Sequence, residues 1–122
     1  MKVLIVDDYK TMLRIVRNLL SQIGITDVED ATDGFTALQR LRESRYDFVM
    51  CSDKMDPMSS LDLLKEIRAD SKLQSIPFIM IMATDNNDKI IAAKTAGVNN
   101  YIVKPFNAEE LKKKIEAVLG SF

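Results

Sequence analysis

Val3-Leu4-Ile5-Val6-Asp7-Asp8 runs four apolar residues straight into two adjacent carboxylates. An unbroken apolar run of this length reads as a strand covered on both faces, as in a parallel sheet packed between helices. Two like charges side by side at the tip of a buried strand repel each other. A hard divalent cation such as Mg2+ is the usual compensation, because it prefers carboxylate oxygen and keeps several waters. A second reading is that one of the pair caps the helix begun by Met12, Leu13, Val16 and Leu20.

Beyond this stretch the chain alternates strand-like and helical segments five times. Strands are predicted at Lys2–Val6, Asp27–Asp30, Asp47–Ser52, Phe78–Met82 and Asn100–Val103. Helices are predicted at Lys10–Ile23, Gly34–Glu43, Leu61–Ala69, Asn87–Ala96 and Ala108–Leu119. In the first helix Leu13, Val16, Leu20 and Ile23 share one stripe. Gly24 and Gly97 suit left-handed helix stops. Asn107 with Glu110 reads as a capping-box variant. Pro77 stands where the fourth strand begins and a donor is dispensable. Five β-α units give an α/β, doubly wound five-stranded parallel sheet. Right-handed crossovers make strand order 2-1-3-4-5, the flavodoxin-like order, the compact choice.

Composition narrows the function. The 122 residues are 47% apolar and 29% charged, which suits one domain with a real core, spanning 1–122. With 17 basic and 18 acidic residues the net charge is -1, so no nucleic-acid footprint is expected. No apolar run reaches membrane-span length, and the N-terminal run is too short for a signal segment. The single Cys51 fits a reducing cytoplasm. Histidine is absent, which removes His-assisted nucleophiles and His-ligated zinc. A phosphohistidine donor would have to be a partner's.

In a doubly wound sheet the site lies beyond the carboxyl ends of the strands, where the strand order reverses. The sequence sends Asp7 and Asp8, Ser52-Asp53-Lys54, Met82-Ala83-Thr84 and Lys104-Pro105 to that end. Acidic oxygens for a cation and a lysine for an anion thus converge on one mouth, a phosphoryl-type arrangement. This convergence favours the cation reading of Asp7-Asp8 over the cap.

These segments resemble the receiver domains of two-component response regulators, and within them the single-domain chemotaxis regulators. The likeness covers the chain without gaps. It rests on Val3–Asp8, Thr11–Leu20, Asp33-Gly34, Leu61–Arg68, Ala96–Tyr101 and Val103-Lys104-Pro105-Phe106. The resemblance implies a phosphorylation switch rather than an enzyme, with at most phosphoryl acceptance and self-dephosphorylation. Mg2+ would bind the acidic pair, here Asp7 and Asp8. An Asp ending strand 3 would take phosphoryl from a kinase histidine, and Lys104 would contact it. A Thr or Ser ending strand 4 would bond it, and an aromatic on strand 5, here Tyr101, would turn inward. A monomer is implied. The face of helix 4, strand 5 and helix 5 would dock a histidine kinase or flagellar-motor partner. It carries Ile90, Ile91, Lys94, Tyr101, Lys104, Phe106 and Lys114; Ile91 and Phe106 could equally be core.

The mouth departs from the family pattern. Aligned without a gap, the acceptor slot holds Ser52, and the nearest carboxylate, Asp53, falls one residue late. One residue along a strand turns a side chain to the opposite face, so Asp53 would need a bulge to serve as acceptor or third metal ligand. Met82 fills the switch hydroxyl slot, and Thr84 lies two residues on. Lys54 could fold inward, pair with Asp8 or Asp53 and occupy the cation's place, or stay solvated. Ser59-Ser60 replaces the usual residue-Gly turn. Mg2+ binding is therefore expected to be weakened or lost. Met50, Met55, Met58, Met80 and Met82 read as adaptable packing. Cys51 reads as an inert thiol unless Lys54 activates it. Three functions remain: a contact-signalling receiver with altered acceptor, a competent receiver using Asp53, or a scaffold with a new metal or lysine-amine site.

Overall fold

A computed structural model gives the fold and describes residues 1–83 and 85–121. The elements are β1 (Lys2–Val6), α1 (Lys10–Gln22), β2 (Asp27–Ala31), α2 (Gly34–Glu43), β3 (Phe48–Ser52), α3 (Ser60–Ala69), β4 (Phe78–Met82), α4 (Asn87–Thr95), β5 (Asn100–Val103) and α5 (Ala108–Leu119). All four strand pairings are parallel and the order is β2-β1-β3-β4-β5. The predicted architecture and order are those observed, with boundaries moved by one residue at a few ends.

Period-two alternation divides the sheet between two apolar layers. Leu4, Val6, Val49, Cys51, Phe78, Met80 and Met82 face α2, α3 and α4. Val3, Ile5, Phe48, Met50, Ile79, Ile81 and Ile102 face α1 and α5. β3 and β4 are buried at every residue, which is why their sequences show no polar alternation. The methionines behave as packing: Met50 and Met82 are 0% exposed. Met58 lies so close to Gly34 that a Cβ there would sit 2.5 Å from its sulfur.

Helix ends follow local chemistry. Asp33, Ser59, Asn86 and Asn107 each accept a backbone N–H of the first turn of α2, α3, α4 and α5. Gly24 and Gly97 take positive φ, as their helix-stopping role requires. Arg68 ties the lower edge together by donating to the carbonyls of Gly97, Gln74 and Ile76 and to Asn99 Oδ1. Asn99 Oδ1 also accepts the N–H of Phe78, so one guanidinium fixes α3, β4 and the α4–β5 turn.

α4 is shallowly seated. Its buried residues are Ile90 and Ala93, and Ile91 is 59% exposed. Ile79 in β4 is 0% exposed, so Ile79→Ala should lower unfolding free energy by about 2–5 kcal/mol in a urea titration. Ile91→Ala should stay within about 0.5 kcal/mol of the parent.

Candidate functional site

The ladder continues one residue past three strands and fixes their tips. Asp7 N–H donates to Ala31 O at 3.1 Å, Asp53 N–H to Ile81 O at 2.8 Å and Lys104 N–H to Met82 O at 2.9 Å. Asp7, Asp53 and Lys104 are thus held in register at the carboxyl end of the sheet.

Alternation then decides which face each side chain takes. Val6, Cys51 and Val103 belong to the α2–α4 layer, so Asp7, Ser52 and Lys104 follow onto the α1/α5 face. Asp7 is 4% exposed and Ser52 2%. Asp7 Oδ1 accepts the N–H of Tyr9 at 3.0 Å, while Oδ2 is buried without a partner. Burial pushes the Asp7 carboxyl above its ordinary value, and Asp8 beside it adds to the rise. The Tyr9 N–H and the Lys104 ammonium oppose that rise. Lys104 thus lies within electrostatic reach of the acidic pair.

Asp53 turns the other way. Its side chain is 6% exposed; Oδ2 accepts the N–H of Ala83 at 3.4 Å and lies 3.9 Å from Lys89 Nζ on α4. Its Oδ1 is the second buried carboxylate oxygen without a partner. No bulge brings Asp53 back to the Ser52 position, because Ser52 pairs in regular register with Ile81.

The expectation of Asp53 as a third metal ligand needs correction. Asp7, Asp8 and Asp53 do not gather as a metal cage: among the described residues no three acidic, Cys or His groups are placed to share an ion. The reason is the one-residue offset, which sends Asp53 toward α4. Of the two readings of Lys54 the solvated one is observed: it is exposed, and the cation beside Asp53 is Lys89. As the sequence favoured, neither acidic residue caps α1, whose N-cap is Tyr9 with no side-chain bond. Thr84 lies outside the described residues. Lys89 is the residue that sequence reasoning missed. Its signal was a lysine in the first turn of a helix, where the dipole disfavours cations and a carboxylate partner elsewhere is to be sought.

The remaining groups surround this mouth. Met82 is fully buried in the α2–α4 layer. Tyr101 is half-buried against the same layer, and Lys114 Nζ sits 4.8 Å from its ring centroid. Cys51 is fully buried, its thiol held well above the ordinary value first by burial, then by Asp7 and Asp53. Lys54 therefore does not activate it. The 660 Å³ cavity between Arg42, Tyr46, Lys72 and Pro77 opens at the opposite end of the sheet and holds none of these groups.

A hydrated Mg2+ needs only one or two carboxylates, the rest of its shell being water. The unpartnered Asp7 Oδ2 and the exposed Asp8 fit such an ion, with one carboxylate fewer than a three-ligand site.

Residues 3–116 match the family described as "Response regulator receiver domain". The chain is 48% identical over 118 residues to "Chemotaxis protein CheY" of Pseudomonas aeruginosa, covering 97% of this chain and 95% of that one. It is 49% identical over 118 residues to "Chemotaxis protein CheY-3" of Vibrio cholerae, covering 97% and 91%. The structure of chemotaxis response regulator CheY4 of Vibrio cholerae superposes with a TM-score of 0.87 at 32% identity, covering 96% and 97%. The receiver domain of sensor histidine kinase PA1611 of Pseudomonas aeruginosa, solved with a magnesium ion coordinated in the active site cleft, gives 0.88 at 25% identity, covering 98% of each chain.

Two outcomes follow from the buried charges. Asp7 binds its proton more tightly folded than unfolded. Stability is therefore lost as pH rises from its ordinary value of 3.8 toward the raised one. Asp7→Asn should raise the urea midpoint at neutral pH, and the gain should shrink as pH falls toward about 4. The Cys51 thiol should resist alkylation at about pH 8 in the native protein and react once unfolded in urea.

Proposed function

The chain belongs to the response regulator receiver family, the signalling module of two-component systems, and on that premise we propose that it signals through protein contacts with Ser52 in the phosphoryl-accepting slot. A serine hydroxyl is a poor phosphoryl acceptor without a general base, and its ester lacks the lability of an acyl phosphate. The observation that carries the reading is the direction of Asp53. Its carboxylate is engaged by Ala83 N–H and Lys89, on the face away from Asp7 and Lys104. The switch slot points the same way, because Met82 has no hydroxyl with which to sense a phosphoryl oxygen.

Asp7 and Asp8 would hold a hydrated Mg2+, which when bound neutralises oxygen charge at the mouth. Two carboxylates in place of three make that binding weak. Lys104 supplies a fixed positive charge that offsets the desolvated Asp7 whether or not an anion is present. Tyr101, with Lys114 over its ring, holds one edge of the surface formed by α4, β5 and α5. Exposed Ile91 and Lys94 give that surface an apolar centre with a basic neighbour. A histidine kinase or flagellar-motor protein in the cytoplasm is the partner class, since relatives 48% and 49% identical to the chain are chemotaxis proteins. The proposed working unit is a monomer of one domain.

The test is intact-mass measurement after incubation with a small phosphodonor and Mg2+. The native chain should gain no phosphoryl group. Ser52→Asp, which sets a carboxylate between Asp7 and Lys104, should gain one that is base-labile. A gain on the native chain that disappears in Asp53→Asn overturns the reading and makes Asp53 the acceptor.

A further inference from the structure

The Asp53–Lys89 contact has no part in accepting phosphoryl, yet among the described residues it is the ion pair that joins the tip of β3 to α4. Asp53 is rigidly placed: its N–H is fixed to Ile81 O, and its side chain is almost wholly buried. A buried carboxylate with one oxygen unpartnered needs a cation nearby, because an isolated charge in an apolar setting is costly. Among the described residues the ion-pair partner of Asp53 is Lys89, in the first turn of α4.

α4 has few other anchors at that end. Asn86 Oδ1 accepts the N–H of Asp88 and of Lys89, but this bond lies within the helix's own first turn. Apolar burial comes from Ile90 and Ala93. The far end is held by Arg68, which donates to Gly97 O at 3.0 Å. Each end of α4 is thus tied to the body by a cation: Arg68 from α3 reaches the turn after it, and Lys89 reaches from it to the tip of β3.

We propose that the Asp53–Lys89 pair is a latch that sets the position of α4, and with it the α4–β5–α5 surface, by a permanent internal charge in place of a transient one. The proposal rests on the contact-signalling function argued above and supplies its regulation. The surface is held in one arrangement by a carboxylate the chain always carries. Breaking the latch loosens α4 without touching Ser52, Asp7 or Lys104.

Amide hydrogen exchange of the full chain, without phosphodonor, tests this by a double-mutant cycle. Lys89→Met should raise exchange at Ile90–Thr95 by about two- to fivefold, the upper part of the range for an ion pair with one half-exposed partner. Exchange in α5 should stay as in the parent. Asp53→Asn should raise the same α4 amides. The double variant should exceed neither single, because both remove one interaction. Unchanged α4 exchange in Lys89→Met overturns the latch, and so does a double variant whose effect is the product of the singles. Phosphoryl uptake by the native chain would fell the contact-signalling reading while leaving this cycle's outcome standing by itself, so the two failures are distinguishable.

Discussion

The parallel ladder that joins β2, β1, β3, β4 and β5 is the constraint on which the site depends. It does not stop where the strands end. Backbone bonds from Asp7, Asp53 and Lys104 carry it one residue further. With the tips locked in register, the face of each side chain follows from parity alone. Asp7, Ser52 and Lys104 share one face, and Asp53 takes the other. A carboxylate one residue late is therefore not a carboxylate slightly misplaced. It belongs to a different layer, with different neighbours and a different cation.

Two desolvated carboxylates result, one on each face of the sheet near the fully buried Cys51. Both push its thiol upward. Each leaves an oxygen unpartnered, at a cost of about 1–3 kcal/mol or more for a charged group. Each also has a lysine: Lys104 acts on Asp7, and Lys89 lies beside Asp53. Lysine suits this task because its long stem lets a half-exposed residue deliver charge to a buried oxygen. Native domains keep such destabilising charges where function requires them. Here one pair occupies the mouth, and the other couples the mouth to α4.

Most of the fold was legible because its signals are local and repeated. Val3–Val6 and Phe78–Met82 read as doubly covered strands, and Gly24 and Gly97 as stops. The order 2-1-3-4-5 followed from handedness. The direction of Asp53 was legible too, since parity is a property of the chain. What the sequence withheld were encounters between distant segments. Nothing near Asp53 in the chain indicates Lys89, 36 positions away, whereas Lys54 next door invited pairing and proved exposed. The three-carboxylate cage failed for a related reason: proximity at one end of a sheet does not put groups on one face. The missing cap on α1 has a local cause: Asp7 spends an oxygen on Tyr9 N–H, and Tyr9 itself takes the N-cap position.

On the proposed function, the crevice of Asp7 and Lys104 contains a hydroxyl, with no carboxylate able to receive a phosphoryl group there. Fluorine NMR with Mg2+ and beryllofluoride, which binds a receptive aspartate as a phosphoryl mimic, examines that crevice directly. The native chain should give no protein-bound fluorine resonance, and Ser52→Asp should give a bound set. Bound resonances from the native chain that vanish in Asp53→Asn would contradict the proposed function.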